Sequence, residues 1–279
     1  MNEAADSAHD ADVHEAPPAL RPRRKGIYIL PNLFTLAALF GGFYAIVMAM
    51  NGRFEQAAIG VFCAMVLDSL DGRVARLTHT QSAFGEQMDS LSDMVSFGAA
   101  PALIVYEWAL KGLGKPGWIA AFVYCACAAL RLARFNTNIG VVDKRFFQGL
   151  PSPAAAALVA GFIFVMNDAG FVEGVRDTPW LVWLTFCITL YAGLTMVTNA
   201  PFYSFKDLSL KRSVPFVVIV AIVLFIALIN LHVPIMLFLL FVIYGMSGYV
   251  VYVWRRLKGK PVSVIATSTD EPDEAGLHR

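Results

Sequence analysis

Four aspartates lie in otherwise apolar sequence: Asp68 and Asp71, then Asp89 and Asp93. A carboxylate at the centre of a bilayer helix costs roughly 2.5–3.5 kcal/mol on insertion scales. Four left uncompensated would cost on the order of 10 kcal/mol, comparable with the stability of a whole domain. Residues three or four apart share a helix face. Asp68 and Asp71 therefore form one acidic stripe, and Gly85, Asp89 and Asp93 form a second at four-residue spacing. Two such faces that meet make a cage of oxygen ligands. Hard cations such as Mg²⁺ or Mn²⁺ favour carboxylate and phosphate oxygens. A pair of them about 3.5–4 Å apart suits displacement at a phosphate. Gly72 and Ala75, with Gly85, sit within a turn of the acids and would let a substrate approach the backbone.

Other uses of the acids compete: structural pairing with Arg73 and Arg76, an ion or proton path, or an ordinary polar loop. The apolar flanks Val61–Leu67 and Met94–Val105 count against a loop. An ion path needs no glycines and arginine at fixed offsets. Membrane prenyltransferases carry two separated acidic motifs, and this chain has one contiguous double motif.

The elements that must position these residues are membrane spans. Of 279 residues, 57% are hydrophobic and 15% charged, with a mean hydropathy of +0.60. A soluble domain carries about 25% charged residues. The apolar residues come in blocks long enough to cross a hydrocarbon core. The expectation is an all-α polytopic membrane protein with about eight transmembrane helices. They run near 28–50, 54–77, 85–110, 117–136, 152–168, 180–199, 214–231 and 234–254. The short polar loop 79–82 predicts that the second and third are adjacent and antiparallel. Of the 22 Lys and Arg, 18 fall in one set of alternating connections. Their excess marks the cytoplasmic side, so both termini and the acidic motif are expected there. The first 27 residues lack the basic start and apolar core of a secretory signal. They and residues 255–279 read as polar cytoplasmic tails. Cys63, Cys125, Cys127 and Cys187 all lie in apolar segments and read as small buried hydrophobes. Arg131 and Arg134, one turn apart at the end of the fourth span, suit a carboxylate or a phosphate. Asn136 reads as a polar partner for them. Asn32 is placed to hydrogen-bond a pyrophosphate or to cap its helix. Gly149-Leu-Pro-Ser-Pro153 predicts a loop end and the start of the fifth helix.

The order Asp-x2-Asp-Gly-x2-Ala-Arg-x8-Gly-x3-Asp-x3-Asp at 68–93 resembles the signature of the CDP-alcohol phosphatidyltransferase family, matching at eight positions over 26 residues. The resemblance implies a six-helix core, here residues 28–213, with 214–254 as two additional helices. It implies that Asp68, Asp71 and Asp89 hold a divalent metal, with two ions in all. Asp93 would share the second ion and act as general base; a metal-bound carboxylate is a weak base, so these remain two demands on one group. Gly72 and Ala75 would lie against the cytidine, and Arg76 near the nucleotide or the acidic cluster. Tyr28–Asn32, Met88–Pro101, Leu130–Asn136 and Phe147–Pro153 resemble the phosphatidylserine-forming branch of that family. The implied substrates are CDP-diacylglycerol and L-serine, with CMP released, in the inner membrane, as a homodimer and without nucleic acid. Glycerol 3-phosphate, an inositol phosphate or choline is the alternative acceptor.

Overall fold

A computed structural model describes residues 29–78, 80, 82–137, 146–171, 178–204, 220, 223–224, 227 and 230–258. Both tails and the Lys144–Arg145 and Lys206–Arg212 segments lie outside them. Helix α1 (Ile29–Met50) turns at Asn51-Gly52, where Gly52 has φ +72°, into α2 (Phe54–Leu77). The third expected span is composite. It comprises α3 (Ala83–Asp93), a π-helical turn (Met94–Ala99), α4 (Ala100–Trp108) and a 3-10 turn (Leu110–Leu113). Then follow α5 (Lys115–Thr137), β1 (Phe146–Gln148), α6 (Ser152–Asp168), α7 (Pro179–Val197), β2 (Pro201–Tyr203) and α8 (Val233–Leu257).

The fold is that of an all-α polytopic membrane protein. Among the described residues, Pro31–Met50, α5, α7 and α8 are long and apolar enough to cross a bilayer. Helix α2 has the length, but Glu55, Asp68, Asp71, Arg73 and Arg76 dilute its hydropathy. Of the seventh expected span, Val220, Val223, Leu224, Ala227, Asn230 and Leu231 are helical; its remaining residues lie outside the described ones. The strands also depart from the sequence reading. β1 and β2 form a two-stranded antiparallel ribbon, with Phe147 opposite Phe202.

In lipid the hydrophobic effect does not drive helices together, so close packing through small residues takes over. A Cβ on Gly41 would lie 3.2 Å from that of Ala64, and one on Gly60 would lie 3.1 Å from that of Ala45. This contact fixes the phase of α2 and turns Asp68 and Asp71 away from lipid. Helix α3 also packs on α1. Ser92 Oγ donates to Thr35 O at 3.1 Å, and Ser96 Oγ to Ala38 O at 3.1 Å. A Cβ on Gly42 would collide with Ser96. The π-helical turn begins immediately after Asp93. Such turns add one residue per turn and recur at functional sites. Tyr124 of α5 donates to the Phe97 carbonyl inside it at 3.1 Å, which supplies a partner for backbone displaced from regular helix. Helix α6 is buried on all sides from Ala154 to Ile163, as expected of a central helix.

Candidate active site

The acids arrive from two helices that both lean on α1. One ligand oxygen from each of Asp68, Asp71 and Asp89 lies within 4.8 Å of the others. Asp93, one turn beyond Asp89, meets the carboxyl of Asp68. The expected meeting of two acidic stripes is thus observed. Unit charges 4.8 Å apart repel by about 3–4 kcal/mol at an effective dielectric near 20. Asp89 Oδ1 and Asp93 Oδ1 are buried without any hydrogen-bond partner. Leaving such atoms unpaired costs several kcal/mol. The donor set is all oxygen and crowded, with two of its oxygens unpartnered, which fits a divalent cation. Asp68, Asp71 and Asp89, with Asp93 beside them, are the residues that could hold it.

Asp71 is only 5% exposed, and its orientation is set by a residue that the sequence reading missed. Thr35 Oγ1 donates to Asp71 Oδ2 at 2.8 Å and lies 3.2 Å from its own helical acceptor, Pro31 O. Thr35 stands one turn after Asn32 on the same face of α1. That spacing, in a run that is otherwise apolar, was the available signal.

A pocket of about 210 Å³ opens beside the acids. It is lined by Pro31, Asn32 and Thr35 of α1, by Asp71, Gly72, Ala75 and Arg76 of α2, and by Thr80, Ser82, Gly85, Glu86 and Asp89. All of Asn32, Gly72, Ala75, Arg76 and Gly85 therefore come together as expected. Two glycines contribute space. At Gly72 a Cβ would meet only Arg76 Nη1, at 3.8 Å. At Gly85 it would stand 3.2 Å from Ser82 Oγ and 3.3 Å from Asn32 Oδ1. Ser82 caps α3 by accepting from the Gly85 N–H at 3.0 Å, as Ser does at helix starts. The α3 N-terminus therefore faces the same pocket, and a helix N-terminus favours anions.

The remaining expected residues lie elsewhere. Arg131 is buried at 8% exposure and donates to Ser152 Oγ at the start of α6. It stands within electrostatic range of Asp93 and Asp68. Asn136 donates to Ser90 Oγ at 3.0 Å on the exposed side of α3. Arg134, expected at substrate, instead spends its guanidinium on the protein. It donates to the carbonyls of Gln148 at 2.8 Å, Val197 at 3.0 Å and Met196 at 3.1 Å, with Asn199 Oδ1 at 3.4 Å. The end of α7 presents carbonyls without helical partners, and Arg134 fastens them to β1. A sequence pattern cannot reveal that destination, because 14 to 63 residues separate the arginine from these carbonyls.

The profile of the CDP-alcohol phosphatidyltransferase family matches residues 28–195. A Helicobacter pylori (strain ATCC 700392 / 26695) protein named CDP-diacylglycerol–serine O-phosphatidyltransferase is 39% identical over 180 residues, covering 64% of this chain and 74% of the relative. The protein of that name from Methanocaldococcus jannaschii is 35% identical over 191 residues, covering 68% and 82%. That from Saccharomyces cerevisiae is 36% identical over 160 residues, covering 52% and 57%.

Proposed function

Because this chain belongs to the CDP-alcohol phosphatidyltransferase family, we propose that it makes phosphatidylserine, as a membrane-integral CDP-diacylglycerol–serine O-phosphatidyltransferase. The observation that carries this reading is the crowded four-carboxylate cage, with Asp89 Oδ1 and Asp93 Oδ1 buried and unpartnered, beside a glycine-lined pocket, in a chain whose relatives across bacteria, an archaeon and yeast bear that name.

In the proposed reaction the serine hydroxyl oxygen bonds to the phosphorus that carries diacylglycerol. The bond from that phosphorus to the bridging pyrophosphate oxygen breaks, and CMP leaves with the electron pair. Asp93 takes the hydroxyl proton, a role a carboxylate fills when held on the attacking group. Asp68, Asp71 and Asp89 would hold the divalent metal, and Asp93 would share a second ion; Mg²⁺ and Mn²⁺ both suit oxygen ligands. When bound, the metal supplies neutralisation of charge on the pyrophosphate. Asn32, Gly72, Ala75, Arg76 and Gly85 bind the nucleotide end of the donor. Arg131 and Asn136 would bind substrate from α5, and Arg134 holds the frame behind them.

The Lys and Arg bias supports a cytoplasmic-facing site in the inner membrane, with both termini on that side. The reading also takes residues 28–213 as the catalytic core, residues 214–254 as two further helices and a homodimer as the working unit. The test is incubation of purified protein with CDP-diacylglycerol, labelled L-serine and Mg²⁺ or Mn²⁺. Labelled lipid and CMP in equal amounts support the reading. Transfer to glycerol 3-phosphate, an inositol phosphate or choline, with none to serine, would replace it.

A further inference from the structure

The third span carries two inward faces, one on each side of its π-helical turn. Helix α3 turns Gly85 and Asp89 to the pocket. Helix α4 buries Ile104 and Trp108. Five turns of α-helix take about 18 residues. Gly85 and Asp89 stand nineteen positions before Ile104 and Trp108. An unbroken helix would align Ile104 and Trp108 with Glu86 and Ser90, and would swing the acids aside by about 100°. The outward face agrees. Leu103 is 45% exposed; eighteen positions before it stands Gly85, in the pocket, and nineteen before it stands Phe84, 70% exposed. The one residue that a π-turn adds is the step that brings α3 into phase with α4.

Pro101 favours the turn at this place. A proline inside a helix has no N–H for the carbonyl four residues back, and its ring presses on that oxygen. Four residues before Pro101 is Phe97, inside the turn. The Ala100 N–H reaches back five residues, to Val95 O, which is the π pattern.

Helix α5 supplies the donor that Pro101 lacks. Tyr124 Oη donates to Phe97 O at 3.1 Å, and both residues are fully buried. One turn along α5, Ala128 meets the same turn: a Cβ on Gly98 would stand 3.3 Å from that of Ala128. Tyr124 is itself pressed from behind by α7. A Cβ on Gly193 would stand 3.0 Å from Tyr124 Cα. The tyrosine therefore has little freedom to leave the carbonyl.

We propose that Tyr124 is a positioning residue for the acidic stripe of α3. By holding the Phe97 carbonyl, it keeps the extra residue in the turn. The turn in its place keeps Asp89 and Asp93 facing the acids of α2. Tyr124 thus acts on the cage through backbone, from a helix that carries none of the four carboxylates. The inference rests on the reading of those carboxylates as a metal centre.

The test titrates the full chain in detergent with Mn²⁺ alone, following the free ion by electron paramagnetic resonance, beside melting curves in EDTA. Tyr124→Phe keeps the ring and removes the donor. Its Mn²⁺ dissociation constant should rise about twofold to tenfold, the range for one neutral hydrogen bond. A purely structural role would lower Tm and the number of sites and leave the affinity of those sites as in wild type; that result would overturn the proposal. Pro101→Ala gives the Phe97 carbonyl a helical donor and lets the turn close to α-helix. Its Mn²⁺ affinity should fall with no loss of Tm. Deleting Val95 in the Pro101→Ala protein removes the extra residue as well and returns the acids to phase, so affinity should recover. A deletion protein that binds no better than Pro101→Ala would contradict the phase count and overturn the proposal. Wild-type protein that binds no Mn²⁺ would instead remove the metal reading, and the inference with it.

Discussion

Thr35 Oγ1 donates to Asp71 Oδ2 at 2.8 Å, joining the first helix to the acidic cage. The same residue receives Ser92 Oγ on its carbonyl at 3.1 Å. A single turn of α1 therefore sets the position of a carboxylate on α2 and the docking of α3.

Partners in the second shell of a metal site typically cost 10–100-fold in metal affinity or activity when removed. Thr35→Val keeps the shape and removes the donor. Its activity should need about 10–100-fold more Mg²⁺ for half-activation, and Thr35→Ser should restore most of the loss. A metal titration of labelled-serine transfer measures both. Unchanged half-activation in Thr35→Val would mean that the hydrogen bond does not orient a ligand.

The cage should also be legible in stability. Asp68 crowds three other carboxyls. Asp68→Asn removes one charge from that repulsion, so in EDTA the variant should melt above wild type. Added Mg²⁺ should raise the wild-type Tm by mass action and raise that of the variant much less. Thermal unfolding in detergent, with and without metal, gives the two signs. A variant that melts lower in EDTA would argue that the acids are held by protein contacts.

Arg134 and Gly85 separate framework from pocket. Arg134→Lys replaces a planar fork by a point donor and strands several carbonyls, at about 1.5–3 kcal/mol for each lost bond to the charged group. The expected result is a lower Tm with KM for serine little changed in the fraction that remains folded. Gly85→Ala places a Cβ 3.3 Å from Asn32 Oδ1. It should raise KM for CDP-diacylglycerol with little change in Tm. Initial-rate kinetics beside melting curves distinguish the two patterns.

The acidic cage was legible in the sequence because its geometry is local. Spacings of three and four fix a shared face on any helix, and the cost of carboxylates in lipid favours a compensating cation. Gly72, Ala75, Arg76 and Gly85 were legible for the same reason, lying within a few turns of the acids, and all line one pocket. The helices α1, α5, α7 and α8 followed from apolar run length. What was not legible depends on long-range contacts. Thr35, Ser92 and Ser96 are common hydroxyls in apolar helices, and only their partners on neighbouring elements distinguish them. The π-helical turn after Asp93 carries no motif of its own. It is accompanied by Tyr124 donating to Phe97 O from 27 positions away. The ribbon of Phe146–Gln148 with Pro201–Tyr203 joins two strands too short to signal themselves. Arg134 read as a ligand for substrate because an arginine free at a helix end and one half-buried against carbonyls look alike in sequence.

The four carboxylates of α2 and α3 are read as a metal-dependent centre that transfers a phosphatidyl group to serine. Its most direct measurement is CMP release matched to labelled phosphatidylserine, for wild type and Asp93→Asn, across a Mg²⁺ and Mn²⁺ titration. Wild type should give equal CMP and lipid only with metal, and Asp93→Asn should fall by at least about a hundredfold, the contribution of a positioned base. Metal-independent transfer, or undiminished transfer by Asp93→Asn, would contradict the account.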